Sequence, residues 1–266
     1  ATTPDSRRRR RTRMLTFTDA QLAAWLTPLL WPFLRALALL SAMPVIGTRT
    51  VPQRVRVALA AFVAFAAQPA LPLPPVVALD SPVMLGLVAQ QTVIGLALGF
   101  AVRLAFAAVE FAGELIGLQM GLNFAGFFDP VSAGTSTATS RFFGTTIAWL
   151  FIVIDGHLLV VAALVQSFAA FPAGPEPFAF LAATTPQRWG AELFATGLWI
   201  ALPLVTMLLF VNLVLGAISR VAPQLSIFAI GFPITLAVGL LGMLLTLPAL
   251  QAPFTLTLEH MLENFR

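Results

Sequence analysis

The chain contains no cysteine, no lysine and no tyrosine, and it has two histidines in 266 residues. Without cysteine there can be no disulfide framework, no thiolate nucleophile and no cysteine-held metal. Charge is scarce as well: Asp, Glu, Lys and Arg make up 10% of the residues, against about a quarter in soluble domains. Hydrophobic residues make up 59%, and the mean hydropathy is +0.92. This composition describes a polytopic membrane protein. All fifteen basic residues are arginine, and six of them fall in the first thirteen positions. Beyond that arm, nine arginines face ten carboxylates, so the high pI reflects the arm alone. The arm carries no aromatic residue and gives no nucleic-acid reading.

The long apolar run over residues 82–123 organises the rest. At ~1.5 Å per residue it spans roughly 60 Å as a helix, twice the ~30 Å of a bilayer core. Its second half carries Glu110, Gly113, Glu114, Gly117 and Gly121 on one side, a small and acidic seam. Glycines four apart admit a close backbone, and two carboxylates are too costly to face lipid. This side is therefore expected to face protein or water, not hydrocarbon. A polar loop over 124–140, FAGFFDPVSAGTSTATS, follows. Its Phe, Gly, Ser and Thr suit a segment folded into a polar cavity.

The arm, residues 1–13, reads as a basic disordered extension ahead of Met14; a polybasic tag for membrane lipid is the other reading. A secretory signal is not expected, because Thr16, Thr18, Asp19 and Gln21 separate the arginines from the apolar run. A first helix is expected over about residues 19–46, interrupted by Pro28, Pro32 and Pro44. Arg35 lies in its middle, where an unpaired charge costs ~2.5 to 3.5 kcal/mol, so a partner inside an assembly is expected. A second helix covers about 55–70, after a loop holding Arg49, Arg54 and Arg56. Arg103 in the long run lies two turns before Glu110 and leans away from it, so the two are not expected to pair.

A fourth helix, over about 141–171, contains Asp155 and His157, with a polar break at Asp155-Gly156. The two side chains are about 200° apart around a helix and do not converge, and no further His or Cys completes a ligand set. A fifth helix, about 187–221, ends in Asn212, Gly216, Ser219 and Arg220, a second small and polar seam. Gly231 and Pro233 predict a break before a sixth helix that ends near Pro248. The last residues, with Leu256, Met261, Leu262 and Phe265, suit a short interfacial helix. Six helical units are expected. Arg49, Arg54, Arg56, Arg141 and Arg220 favour one membrane side as cytoplasmic, while the arm favours the other.

Several stretches resemble the FliR family, the flagellar type III export-gate proteins, whose injectisome counterpart is SctT. SRVAPQLSIFAIGFPITL from Ser219 is similar to the family signature, and GELIGLQMGLNFAGFFDP from Gly113 is similar to its long helix and following loop. WPFLRALALLSAMPVIG and VPQRVRVALA resemble its first two helices. The resemblance covers nearly the whole chain from Met14.

It implies an all-α fold of membrane-associated helical hairpins with kinked, over-long helices. A FliP-like part over 14–185, holding a pore loop at 124–140, would be fused to a FliQ-like hairpin and tail over 186–266. It implies a single copy in a hetero-oligomer with FliP, FliQ and FlhB, no cofactor and no catalytic role. The place would be the bacterial inner membrane, in the flagellar basal body. Exported unfolded flagellar proteins would pass a pore closed by a plug at Phe124, Gly126, Phe127, Phe128, Asp129 and Pro130. The seams at Glu110, Gly113, Glu114, Gly117 and Gly121 and at Asn212, Gly216, Ser219 and Arg220 would pack against subunits, and Arg35 and Arg103 would be buried charges.

Other readings stand beside it: an injectisome export gate, a structural nucleus for the ring, or a proton-coupled carrier using Asp155 and His157 with Arg103 and Glu110. A carrier would show paired repeats with interrupted helices. None is evident beyond the two broken-helix halves.

Overall fold

The computed structural model describes residues 19–72, 81–122, 137–174, 180, 186–222 and 227–266, with the backbone alone at 19–26, 186 and 227–229. The described residues are almost entirely helical: α1 Asp19–Ala42, α2 Gln53–Ala67, α3 Pro82–Gln119, α4 Ala138–Val153, α5 Gly156–Ala170, α6 Pro186–Val221, α7 Ile227–Thr246 and α8 Gln251–Glu263. The fold is all-α and of membrane type. Three helical runs, 82–119, 187–221 and 230–263, are long and apolar enough to cross a membrane, and the bent pair α4–α5 makes a possible fourth span.

α3 is the spine. Ser81 caps its start, accepting from Val83 N at 3.3 Å, and Pro82 occupies the first helical position, where a missing N–H costs nothing. Leu87, Ile94, Leu98, Val102, Phe106, Val109 and Ile116 are buried along its length, because α1, α4, α6 and α8 pack around it. Phe106 meets Phe151 of α4 and Phe254 of α8 edge-on, each at 5.4 Å between centroids. Edge-to-face contact suits the positive edge and negative face of the rings.

Four expectations change. α1 runs through Pro28 and Pro32 and stops at Ala42, short of Pro44. α7 likewise runs through Pro233 without a break. Neighbouring helices and side chains can satisfy backbone groups that a proline frees. The expected fourth helix begins earlier, at Ala138 behind the Thr137 cap, while its expected break at Asp155-Gly156 is present as a bend of 70° between α4 and α5. The terminal helix buries one face in protein: Phe254, Leu258, Met261, Leu262 and Phe265 are fully buried, where α8 packs on α3, α5 and α6, while Leu256, Glu259 and His260 on its other face are exposed. The spacing of the buried residues makes one continuous stripe, and that stripe finds a protein groove. Eight α-helices are present among the described residues because the expected fourth unit is two helices, α4 and α5, and the short terminal helix expected after the sixth unit is the separate α8.

The outer face of α6 contrasts with this core. Phe194, Trp199, Phe210 and Leu213 are exposed on it.

Candidate functional site

Arg35 sits in α1 with its side chain wholly buried. Its Nε donates to Gln91 Oε1 at 2.8 Å, Nη1 to Ser167 Oγ at 2.9 Å and Nη2 to the Phe171 carbonyl at 2.8 Å. The Phe168 ring lies 3.7 Å below the guanidinium carbon. A guanidinium has five donors in a planar fork, which lets it reach acceptors on three elements while its face stacks on a ring. Arg35 therefore joins α1, α3 and the end of α5, and its partners come from its own chain rather than from a neighbouring subunit. Gln91 donates onward to Gln90, whose amide donates to the Pro172 carbonyl at 3.4 Å. The pair Gln90-Gln91, two amides inside an apolar run, was the sequence signal for this node, and the reading of the sequence passed over it.

The same region holds a seam that sequence reasoning missed. A Cβ on Gly95 would lie 2.3 Å from the Arg35 carbonyl oxygen, and one on Gly99 2.7 Å from that of Leu39. These two glycines let α3 lie directly against α1. Their spacing of four was visible as GLALG, though the later glycines drew more notice.

At Gly113 and Gly117 the acidic seam further along α3 meets α4 of the same chain. A Cβ on Gly113 would lie 2.9 Å from Ser140 Cα, and one on Gly117 2.1 Å from Thr139 Oγ1. Glu114 Oε2 accepts from Thr137 N at 3.3 Å and from Thr137 Oγ1 at 2.8 Å. Thr137 Oγ1 in turn accepts from Ser140 N at 3.2 Å, and Ser140 Oγ donates to the Glu110 carbonyl at 3.0 Å. A carboxylate at a helix N-terminus meets unpaired N–H groups and the positive end of the dipole, which is why Glu114 belongs there. Gly121 closes α3 at φ 79°, a conformation that glycine adopts without strain.

As expected, no ion pair or hydrogen bond joins Arg103 to Glu110, though the two share a cleft. Both line a cleft of ≈ 250 Å³ with Ser41, Pro44 and Thr48 from the α1–α2 corner. Arg103 is exposed at its mouth rather than buried, and its charge acts on the Glu110 carboxyl. Glu110 also lines a neighbouring cleft of ≈ 520 Å³, with Val45, Ser140, Arg141 and Thr145. Its side chain lies over Gly144, where a Cβ would come within 2.9 Å of Oε1.

The second seam has a different environment. Asn212, Gly216 and Arg220 are exposed, Ser219 is partly covered, and Ser219 Oγ donates to the Gly216 carbonyl at 2.8 Å. Nothing lies within 4 Å of where a Gly216 Cβ would stand. Asp155 is exposed at the bend in the left-handed region, at φ 55°. His157 lines an apolar cavity of ≈ 110 Å³ with Leu39, Leu59, Val63 and Leu164, and its buried Nδ1 has no hydrogen-bond partner. No group of three metal-binding side chains occurs among the described residues. The expected plug residues Phe124, Gly126, Phe127, Phe128, Asp129 and Pro130 lie outside the described residues.

The architecture and its buried polar nodes define an all-α membrane protein built round one over-long helix. The chain belongs to the bacterial export proteins, family 1, which matches residues 26–261. It is 47% identical over 258 residues, 94% of each chain, to the flagellar biosynthetic protein FliR of Escherichia coli (strain K12). It is 43% identical over 251 residues, 94% of each chain, to that of Pectobacterium carotovorum subsp. carotovorum. The FliR of Bacillus subtilis (strain 168) is 30% identical over 240 residues, 86% of this chain and 91% of that protein.

Proposed function

We propose that this chain is a subunit of the flagellar type III protein export gate in the bacterial inner membrane, at the base of the flagellum. The observation that carries the reading is the 47% identity, along 94% of both chains, to a protein named for flagellar biosynthesis. The exposed seam at Asn212, Gly216, Ser219 and Arg220 supports it, since small and polar residues on an apolar helix serve close helix packing. In this reading one copy joins FliP and FliQ and contacts FlhB. Residues 14–185 take the FliP-like place in a helical ring, and residues 186–266 the FliQ-like place. Unfolded flagellar proteins cross the ring.

The plug reading for Phe124, Gly126, Phe127, Phe128, Asp129 and Pro130 rests on the resemblance of the segment from Gly113 to Pro130. It gains support from the ends of the segment. Gly121 turns the chain out of α3, and the Thr137–Glu114 bonds fasten its return. A loop tethered on both sides can seal or clear a pore without loosening the helices.

The test is copurification of the chain with and without FliP and FliQ, followed by native mass. One copy inside a larger ring supports the gate. A stable monomer or homodimer that ignores both sister proteins overturns it.

A further inference from the structure

α2 packs on α1 and scarcely touches α5, and between the three helices lies an apolar cavity of ≈ 110 Å³. Leu39 and Leu40 of α1 and Val160 and Leu164 of α5 form its inner wall and are buried. Leu59 and Val63 of α2 form the outer wall and are partly exposed, so a small molecule can enter from that side. His157, in the first turn of α5, brings the only polar side chain to the lining. Its Nδ1 is buried and has no hydrogen-bond partner among the described residues. A buried polar atom without a partner is costly, and each one in a native structure calls for an explanation.

This lining excludes most occupants. An ion would give up its hydration for one imidazole and a ring of aliphatic groups. A metal would need further ligands, and no three metal-binding side chains gather among the described residues. A water needs two to four polar partners, and the side chains here offer one. A purely apolar occupant fills the space but leaves Nδ1 unpaired.

An imidazole Nδ1 is a donor in one tautomer and an acceptor in the other. A hydroxyl answers either, since it carries one proton and two lone pairs. At about 30 Å³ per water-sized group, ≈ 110 Å³ holds about four or five non-hydrogen atoms. We propose that this cavity is a binding site for a small aliphatic alcohol, whose hydroxyl pairs with His157 Nδ1 while its hydrocarbon body packs on Leu39, Val63 and Leu164. The occupant touches α1, α2 and α5 together, and so fastens α2 to a helix that it otherwise scarcely meets.

The test is a titration of the full chain in detergent with isobutanol, followed by NMR at the methyl groups of Met43 and Val63, which line the cavity, and at His157 Nδ1. His260, the other histidine, pairs with Glu192 and is the reference for the ring nitrogens. Met207, exposed on α6, is the reference for alcohol taken up by detergent. Saturable shifts at Met43, Val63 and His157 Nδ1 are expected at alcohol concentrations on the order of millimolar, with none at His260 or Met207. His157→Leu is expected to weaken isobutanol about tenfold, because the hydroxyl then has no partner. The same variant is expected not to weaken isopentane, which carries a methyl in place of the hydroxyl. Leu164→Phe fills the cavity and is expected to abolish the shifts; Leu59→Phe does so from the partly exposed wall, where a larger ring disturbs folding least. Methyl shifts that rise without saturating and equally at Met207, an isobutanol affinity unchanged in His157→Leu, or saturable shifts that survive both phenylalanines overturn the site. Methyl shifts with a stationary His157 Nδ1 overturn the alcohol and make the cavity one for hydrocarbon alone.

Discussion

Arg35 Nη1 donates to Ser167 Oγ at 2.9 Å across 132 positions of chain, and Ser167 Oγ donates in turn to the Leu164 carbonyl at 2.6 Å. The end of α5 is thereby fixed to the middle of α1, with Gln91 of α3 between them. Three helices distant in sequence share one buried cation. In a core this apolar the guanidinium is a costly group unless all of its edges are occupied, and here Nε, Nη1 and Nη2 each have an acceptor.

Removal of that cation is expected to be severe. Arg35→Ala leaves Gln91 Oε1 and the Phe171 carbonyl buried without donors, at about 1 to 3 kcal/mol each, and opens a void under Phe168. Arg35→Lys keeps the charge but has no planar fork, so it is expected to recover less than half of the loss. Thermal unfolding in detergent measures both. A melting temperature for Arg35→Ala within a degree or two of the parent would contradict the role assigned to the node.

Glycines of α3 should divide into two groups. Gly95→Ala forces a methyl against the Arg35 carbonyl and is expected to destabilise by about 1 to 3 kcal/mol, since backbone cannot step aside cheaply. Gly86→Ala meets nothing within 4 Å and is expected to be neutral or to gain up to ~1 kcal/mol from helix propensity. A melting series on the two variants reads the difference directly. Equal effects would show that α1 and α3 do not touch as described.

Much of this arrangement was legible in the sequence, and the exceptions have physical causes. The long spine was visible because an apolar run of that length, with Arg103, Glu110 and Glu114 as its only charges, reads as one long helix. The break at Asp155-Gly156 was visible because polar residues interrupt such a run. Pro28, Pro32 and Pro233 misled, since a proline removes one hydrogen bond and whether the helix survives depends on neighbours that sequence does not display. The seam at Gly113 and Gly117 was recognised as a packing face, but its partner was not. A pattern on one helix states that something approaches closely and cannot say whether it comes from the same chain. The Arg35 partners were hidden for the same reason, as Gln91 and Ser167 become neighbours only through the fold. Arg103 was expected to be buried and is exposed, because the cleft it shares with Glu110 and the α1–α2 corner is open to the surface, which the sequence does not display.

The Thr137 cap offers a local test. Thr137→Val removes the hydroxyl that accepts from Ser140 N and donates to Glu114, at a cost of about 1 kcal/mol. Glu114→Gln keeps the shape, loses the charge at the dipole and is expected to cost somewhat less. Hydrogen exchange at Thr139, Ser140 and Arg141 is the measurement, with faster exchange expected there and none at the far end of α4. Uniformly faster exchange along α4 would mean that the contact supports the whole helix rather than its start.

The exposed seam of α6 separates folding from assembly. Gly216→Leu adds a side chain where nothing stands within 4 Å, so the isolated chain is expected to keep its melting temperature within about a degree. If the face at Asn212, Gly216, Ser219 and Arg220 receives a neighbouring helix, the same side chain holds that helix away, and copurification with FliP and FliQ is expected to fall severalfold. The pairing of the two readouts matters, because a misfolded chain also fails to assemble. A variant with unchanged melting and unchanged copurification would move the subunit contact elsewhere, and Phe194, Trp199 and Phe210 on the same helix are exposed apolar residues that could carry it. Alanine at those three, read by the same two measurements, then decides whether α6 is a subunit face or a lipid face.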